Sequence, residues 1–288
     1  MNAIAAILLV LAILGGLFAF VHKLTLSCEG SRKLIHLGMG TVCLSFPWLF
    51  HETWPVDLLA ALALAALLIL RYLKCGLGDV LYRVKRLSFG ELLFPVGVAL
   101  VFRFTLHDLP SYLASVGILT FADTAGALVG RRFGKHPYHT AAGRKSVEGT
   151  LAVFIVSFLI TFSLQLHPDL TTAFLIAIVI SLVVAMAEGI LGAGLDNLIL
   201  PLVVFGLLLF LRDLTWSQLL ARITVILALA TALYFLRRTT RFSGGGLLSI
   251  TTLGYLCFAL GGPLSLISLL IIVSIHLFIR SKKHAHCR

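Results

Sequence analysis

Asp123 stands inside an apolar segment, F-A-D-T-A-G-A-L-V-G (121–130), and five basic residues follow it: Arg131, Arg132, Lys135, Arg144 and Lys145. An ionised carboxylate costs at least ~2.5 kcal/mol to hold within a bilayer, so a residue of this kind demands a partner or a function. The basic loop enters the next apolar segment through Lys145, Ser146, Val147, Glu148, Gly149 and Thr150. Acids at a membrane surface, bases beside them and backbone bared by glycine suit a metal-bound phosphate ester.

Further residues extend this chemistry, and each also has a plainer reading. In Glu29-Gly30-Ser31-Arg32-Lys33-Leu34-Ile35-His36, Arg32 and His36 lie four apart on one helical face. They form either a basic anchor capped by Ser31, or a grip in which Arg32 or Lys33 holds phosphate oxygens while His36 donates a hydrogen bond. Glu188, Gly192, Gly194, Asp196 and Asn197 either make a polar turn with a capping Asp or offer the oxygen ligands that Mg²⁺ prefers. Lys145 and Glu148, three apart, pair on a helix or serve phosphate and metal separately. Ser146 caps that helix, whose N-terminus also favours an anion. Gly126 and Gly130, with Ala127, let a neighbouring helix or a ligand approach the backbone beyond Asp123. Ser88 and Glu91 have capping-box spacing, and Pro95 and Gly97 mark a kink or close packing. Gly244, Gly245 and Gly246, after Arg237, Arg238 and Arg241, read as a flexible basic loop that helps hold phosphate. The Lys282–Cys287 tail reads as a solvated end.

Two nucleotide motifs are excluded. Gly130 to Gly134 encloses three residues where a Walker A loop has four, and His136 replaces its Ser/Thr. Gly192-x-Gly194 lacks the third glycine of a dinucleotide fingerprint.

The elements that must position these residues are membrane spans. Hydrophobic residues make up 59% of the chain and charged ones 12%, and apolar runs recur at 3–21, 34–50, 55–71, 92–106, 111–130, 148–166, 171–190, 198–211, 217–236, 247–261 and 263–279. The last two read as separate spans or as one hairpin kinked at Gly261-Gly262-Pro263. The expected fold is an all-α polytopic bundle of about 9–11 transmembrane helices in a single domain covering 1–288. The net charge of +11 reflects topology and not nucleic-acid binding. Its bases fall in short loops on one side, which predicts N-terminus out and C-terminus cytoplasmic. Outer turns carry Glu52, Asp57, Asp108, Asp169 and Asp213. Asp123, Glu148, Glu188 and Asp196 gather with the bases at the inner face. Five cysteines without metal spacing imply reduced thiols. The first apolar run reads as a span and not a cleaved signal.

Taken together, E-x-x-R-K-x-x-H (29–36), D-T-A-G-A-L-V-G-R-R-F-G-K-H (123–136), R-K-S-V-E-G-T (144–150) and D-N-L-I-L-P (196–201) resemble the polyprenol kinase family. That family comprises dolichol kinases, phytol and farnesol kinases and CTP-dependent diacylglycerol kinases, and the phytol kinase branch is the most similar. The motifs cover residues 29–201 in matching order, departing at Ala122, where glycine is expected. The resemblance implies a cytoplasm-facing site in a bacterial inner membrane that uses CTP, or another nucleoside triphosphate, with Mg²⁺. It implies Asp123, Glu148, Asp196 and Glu188 as metal or base residues, with Lys145 catalytic beside Asp123, Glu148 and Asp196. Arg32, Lys33, His36, Arg131, Arg132, Lys135, Arg144, Ser146 and Asn197 would hold nucleotide and phosphate. The acceptor would be a lipid alcohol reaching the site from the bilayer. Three competing readings remain: a diacylglycerol kinase, a CDP-diacylglycerol synthase-like cytidylyltransferase, and a transporter of an anionic solute. The cytidylyltransferase reading is disfavoured because the last 80 residues hold one acid, Asp213.

Overall fold

A computed structural model describes residues 2–24, 28–73, 89–140, 143–164, 167–240 and 243–285. In chain order the helices are α1 (Ala3–Lys23), α2 (Cys28–Leu44), α3 (Phe46–Leu49), α4 (Trp54–Leu73), α5 (Gly90–Phe104), α6 (Leu109–Gly117), α7 (Asp123–Phe133), α8 (Val147–Ser163), α9 (Leu170–Ile190), α10 (Asp196–Leu211), α11 (Trp216–Thr240) and α12 (Gly244–Ala285). The protein is an all-α polytopic membrane bundle. Among the described residues, Ala3–Lys23, Leu109–Phe133, Leu170–Ile190, Trp216–Leu236 and Gly244–Ile275 are long and apolar enough to cross a bilayer. Shorter apolar helices lie at Trp54–Leu70, Val147–Ser163 and Asp196–Leu211.

The bundle is built around α9, 72% of whose apolar window is buried against 22% for α1. Its Ile176, Val179, Ile180 and Val184 pack with Ile118 of the turn after α6, Val153 of α8, Leu200 and Val204 of α10 and Tyr255 of α12. A second core joins Ala6 and Val10 of α1, Phe46, Val56, Phe94, Phe102 and Tyr112. Phe102 meets Phe46 and Tyr112 edge-to-face, at centroid distances of 6.4 and 5.5 Å. The Tyr112 hydroxyl donates to the Cys43 carbonyl at 2.8 Å, so this buried phenol is satisfied.

Three local features depart from simple spans, and each shapes the site. A π-helical turn at Ile118–Ala122 joins α6 to α7 immediately before Asp123. Such turns widen the helix and redirect its carbonyls. The basic loop after α7 folds into an antiparallel hairpin, β1 (Pro137–Thr140) with β2 (Gly143–Ser146), pairing Tyr138 with Lys145 and His139 with Arg144. Within α12, Gly262 leaves helical geometry at φ 69°, ψ −167°, which produces the expected kink before Pro263.

Asp108, Asp169 and Asp57 serve structure. Asp108 accepts the Ser111 amide at 3.2 Å, Asp169 caps α9 through Thr172, and Asp57 pairs with Arg103. Ser88 of the expected capping box lies outside the described residues, as do Lys74, Asp79, Arg83, Lys85, Arg86, Arg241, His286 and Cys287. Helix α5 begins at Gly90 with Phe89 as its N-cap residue, and the Phe89 amide donates to the Ala193 carbonyl at 2.9 Å.

Candidate active site

The site is assembled from five separate stretches. Lys33 on α2 donates to Asp123 Oδ2 at 2.6 Å, and both side chains are only 12% exposed. His36, one turn further on, places Nε2 3.6 Å from the same carboxylate and 3.1 Å from the Leu119 carbonyl in the π-turn. The irregular turn therefore gives His36 its partner. Its ring also meets Phe94 edge-on at 5.0 Å. Gly40 permits this approach of α2, because a Cβ there would fall on the Thr120 side chain.

Lys145 on β2 crosses to the end of α9, where Nζ donates to Glu188 Oε1 at 2.5 Å and to the Glu188 carbonyl. Of the two readings of Lys145 and Glu148, the helical pair does not form, since Lys145 lies in a strand where the helical spacing rule has no force. Glu148 instead accepts from the His136 ring at 2.6 Å and from the His136 amide. Asp196, in the first turn of α10, lies within electrostatic reach of Asp123, Lys145 and Lys33. Glu188 likewise feels Asp123 and Asp196. Asp123, Glu188, Asp196, Lys33, Lys145 and His36 thus form one sequestered charged cluster. It sets three carboxyl groups against two ammoniums and one imidazole.

The loop carrying Asp196 is held by backbone contacts. Ala193 and Gly194 take positive φ, 56° and 87°, and a Cβ on Gly194 would collide with the backbone of Gly90. Asn197 is buried, donates its side-chain amide to the Gly90 carbonyl at 2.8 Å and presses its own carbonyl onto Gly97. Its amide therefore ties α10 to α5, which differs from the phosphate contact expected of it. Ser146 is also occupied: it caps α8 by accepting the Gly149 amide at 3.1 Å and is 8% exposed. Gly126 and Gly130 pack α7 closely on α8, with Gly126 against Val153 and Gly130 against Ser146.

Arg131, Arg132, Lys135 and Arg144 are exposed around this cluster, and Arg32 is half-buried on α2. Tyr138 is a site element that residue types alone did not reveal. Its hydroxyl shares a 2.5 Å hydrogen bond with Thr150, and burial raises it above the ordinary phenol range. The only advance signal was its place in the 123–150 loop. Arg222 also went unmarked: it is 9% exposed within α11, donates to the Gln218 carbonyl at 3.1 Å and lies over the Phe210 ring at 5.1 Å.

Among the described residues, no three His, Cys, Asp or Glu side chains converge tightly enough to hold a metal ion. Ammonium groups sit directly on Asp123 and Glu188. The surplus of hard carboxylate oxygens nevertheless suits a divalent cation such as Mg²⁺.

A phytol kinase from Synechocystis sp. is 35% identical to this chain over 188 residues, covering 63% of this chain and 79% of the relative. The chain belongs to the polyprenol/phytol kinase family. No family model matches it, and no solved structure does. For a member of this kinase family, the exposed arginines beside a sequestered carboxylate–lysine cluster are the part of the surface suited to polyphosphate.

Proposed function

We propose that this protein transfers a phosphoryl group from a nucleoside triphosphate, CTP by the family resemblance, to the hydroxyl of a membrane-dissolved isoprenoid alcohol. Phytol, geranylgeraniol and polyprenols are the acceptors considered. The observation that carries this reading is the union of the phytol kinase similarity with the Lys33–Asp123 and Lys145–Glu188 pairs around Asp196.

The chemistry assigns work to each group. Phosphoryl transfer needs little covalent help and much positioning and charge stabilisation. The acceptor oxygen forms the new P–O bond as the bond from the γ-phosphorus to its bridging oxygen breaks, leaving the nucleoside diphosphate. Arg131, Arg132, Lys135 and Arg144 draw the triphosphate to the surface, and Arg32 adds charge from α2. Lys33 and Lys145 hold Asp123 and Glu188 until phosphate oxygens arrive, then turn to neutralise them. Once their lysines turn to phosphate, the Asp123 and Glu188 carboxylates are the ones that would meet a nucleotide-bound Mg²⁺. Held there, a divalent ion would supply charge neutralisation for the transferring phosphate. Asp196 accepts the Asn197 amide at 3.2 Å and, among the described residues, no lysine sits on its carboxylate, which makes it the best-suited proton acceptor for the hydroxyl. Glu148, committed to His136, organises the loop instead.

The distribution of bases supports an N-terminus outside, a C-terminus inside and a site facing the cytoplasm. The alcohol then enters laterally with its hydroxyl at headgroup depth.

The test is transfer from γ-labelled CTP or ATP, with Mg²⁺ in detergent, to phytol, farnesol, geranylgeraniol, dolichol and diacylglycerol. A labelled prenyl monophosphate that disappears in Asp123→Asn supports the reading. Labelled phosphatidate from diacylglycerol alone moves the acceptor class. A CDP-lipid from phosphatidate indicates a cytidylyltransferase, and folded protein without turnover favours an anion transporter.

A further inference from the structure

We propose that Tyr138 is a positioning residue for Lys145, and that Gly244 and Gly245, at the start of α12, form the seat that holds Tyr138. The consequence for catalysis rests on the phosphoryl-transfer reading above. The positional claim stands on contacts alone.

Lys145 carries its ammonium on a flexible four-carbon stem, so its aim at Glu188 depends on a rigid backbone beneath it. That backbone is a two-stranded hairpin, which by itself is marginally stable. Tyr138 stands directly opposite Lys145 in the hairpin register. Its hydroxyl is bonded to Thr150 on α8. A Cβ added to Gly189, the neighbour of Glu188, would come within 3.3 Å of that hydroxyl. On the other side, a Cβ on Gly244 would lie 2.7 Å from Tyr138 Cβ and 2.9 Å from its ring. A Cβ on Gly245 would lie 2.7 Å from the Thr140 Cα. Tyr138 is therefore held between α8, α9 and α12, with Lys145 across the hairpin from it.

The seat explains an otherwise unfavourable sequence. Glycine is a poor helix former, so three in a row are an unfavourable way to begin a helix. Two of them are the positions where any side chain would push the hairpin away. The basic-loop reading of 244–246 is thereby replaced: the segment is the first turn of α12, and its bareness serves packing. Helix α12, which lies beyond the 29–201 motif region, thus packs on β1, the partner of the strand that carries Lys145.

The test uses the full chain in detergent and two independent readouts. The first is the acylation rate of Lys145 by an amine-reactive ester, followed by mass spectrometry, with exposed Lys135 as internal reference. Tyr138→Ala and Gly244→Val should each raise Lys145 labelling about fivefold toward the level of Glu188→Gln, leaving Lys135 unchanged. Tyr138→Phe, which keeps the ring in its seat, should stay near wild type. The second readout is turnover. Tyr138→Ala should lower kcat about tenfold with little change in the acceptor KM, and should add nothing further in a Lys145→Ala background. Unchanged Lys145 labelling in both disruptive variants would overturn the proposal. So would losses from Tyr138→Ala and Lys145→Ala that simply multiply. If wild type shows no turnover while the labelling shift appears, the kinase reading falls and the positioning role stands.

Discussion

Lys33 and Asp123, separated by 90 residues in sequence, meet at 2.6 Å in a site where each side chain is 12% exposed. Neither is tolerable alone in such surroundings, because an unpaired buried charge is strongly destabilising. The pair also lies one turn from His36 and within the field of Asp196 and Lys145. Structure and chemistry are therefore separable here by substitution.

Removing one partner should be worse for folding than removing both. Lys33→Ala is expected to destabilise the protein by about 3–5 kcal/mol, whereas Lys33→Met with Asp123→Leu should recover most of that stability. Neither variant should retain turnover. Thermal unfolding in detergent alongside the transfer assay checks both halves, and an active double variant would refute the catalytic role of the pair.

Asp196→Asn should lower kcat at least about 100-fold while leaving the unfolding temperature near wild type. Among the described residues the carboxylate accepts only the neighbouring Asn197 amide, so its loss removes chemistry more than packing. An unfolding midpoint that collapses with activity would assign Asp196 to structure.

Asn197→Ala should do the reverse. It removes the 2.8 Å bond from the Asn197 side chain to the Gly90 carbonyl that ties α10 to α5, which costs about 0.5–1.5 kcal/mol. Activity per folded molecule should change less than in Asp196→Asn. Gly194→Val, at φ 87° against Gly90, should be more severe, since both strain and collision oppose it.

The exposed bases should act on nucleotide binding. Arg131→Ala, Arg132→Ala and Arg144→Ala, singly, should raise the nucleotide KM about three- to tenfold with kcat nearly unchanged, and the effect should shrink as salt rises. Chelation of divalent metal should abolish turnover without unfolding the bundle. A salt-independent loss of kcat would contradict the surface role.

One pH effect lies at the start of α9. The Thr172 hydroxyl and amide hold the Asp169 carboxyl below its ordinary range. A lowered folded-state pKa contributes stability above the unfolded value, near pH 4, which fades as pH falls through the folded value. The stability difference between wild type and Asp169→Ala should therefore be constant at neutral pH and narrow below about pH 4. A gap that widens on acidification would contradict the cap.

Much of this protein is legible without coordinates. Apolar runs set the spans because backbone in lipid must bond within its own helix, and α1, α8, α9 and α10 begin and end within a few residues of where hydropathy puts them. The chemical inventory was equally visible, since Asp123, Glu188 and Asp196 have no cheap reason to sit in apolar surroundings. What helical spacing could not supply was partnership. It suggested Lys145 with Glu148, whereas the hairpin sends Lys145 to Glu188 and leaves Glu148 to His136. It did not foresee the π-turn that offers the Leu119 carbonyl to His36, because a widened turn depends on how α6 and α7 meet α2. It also gave no role to Tyr138. Local sequence dictates which segments enter the membrane and which residues are costly to bury there. Only the packing of α2, the hairpin, α9 and α10 decides which of those charges neutralise one another, because ion pairing depends on distances that chain order does not encode.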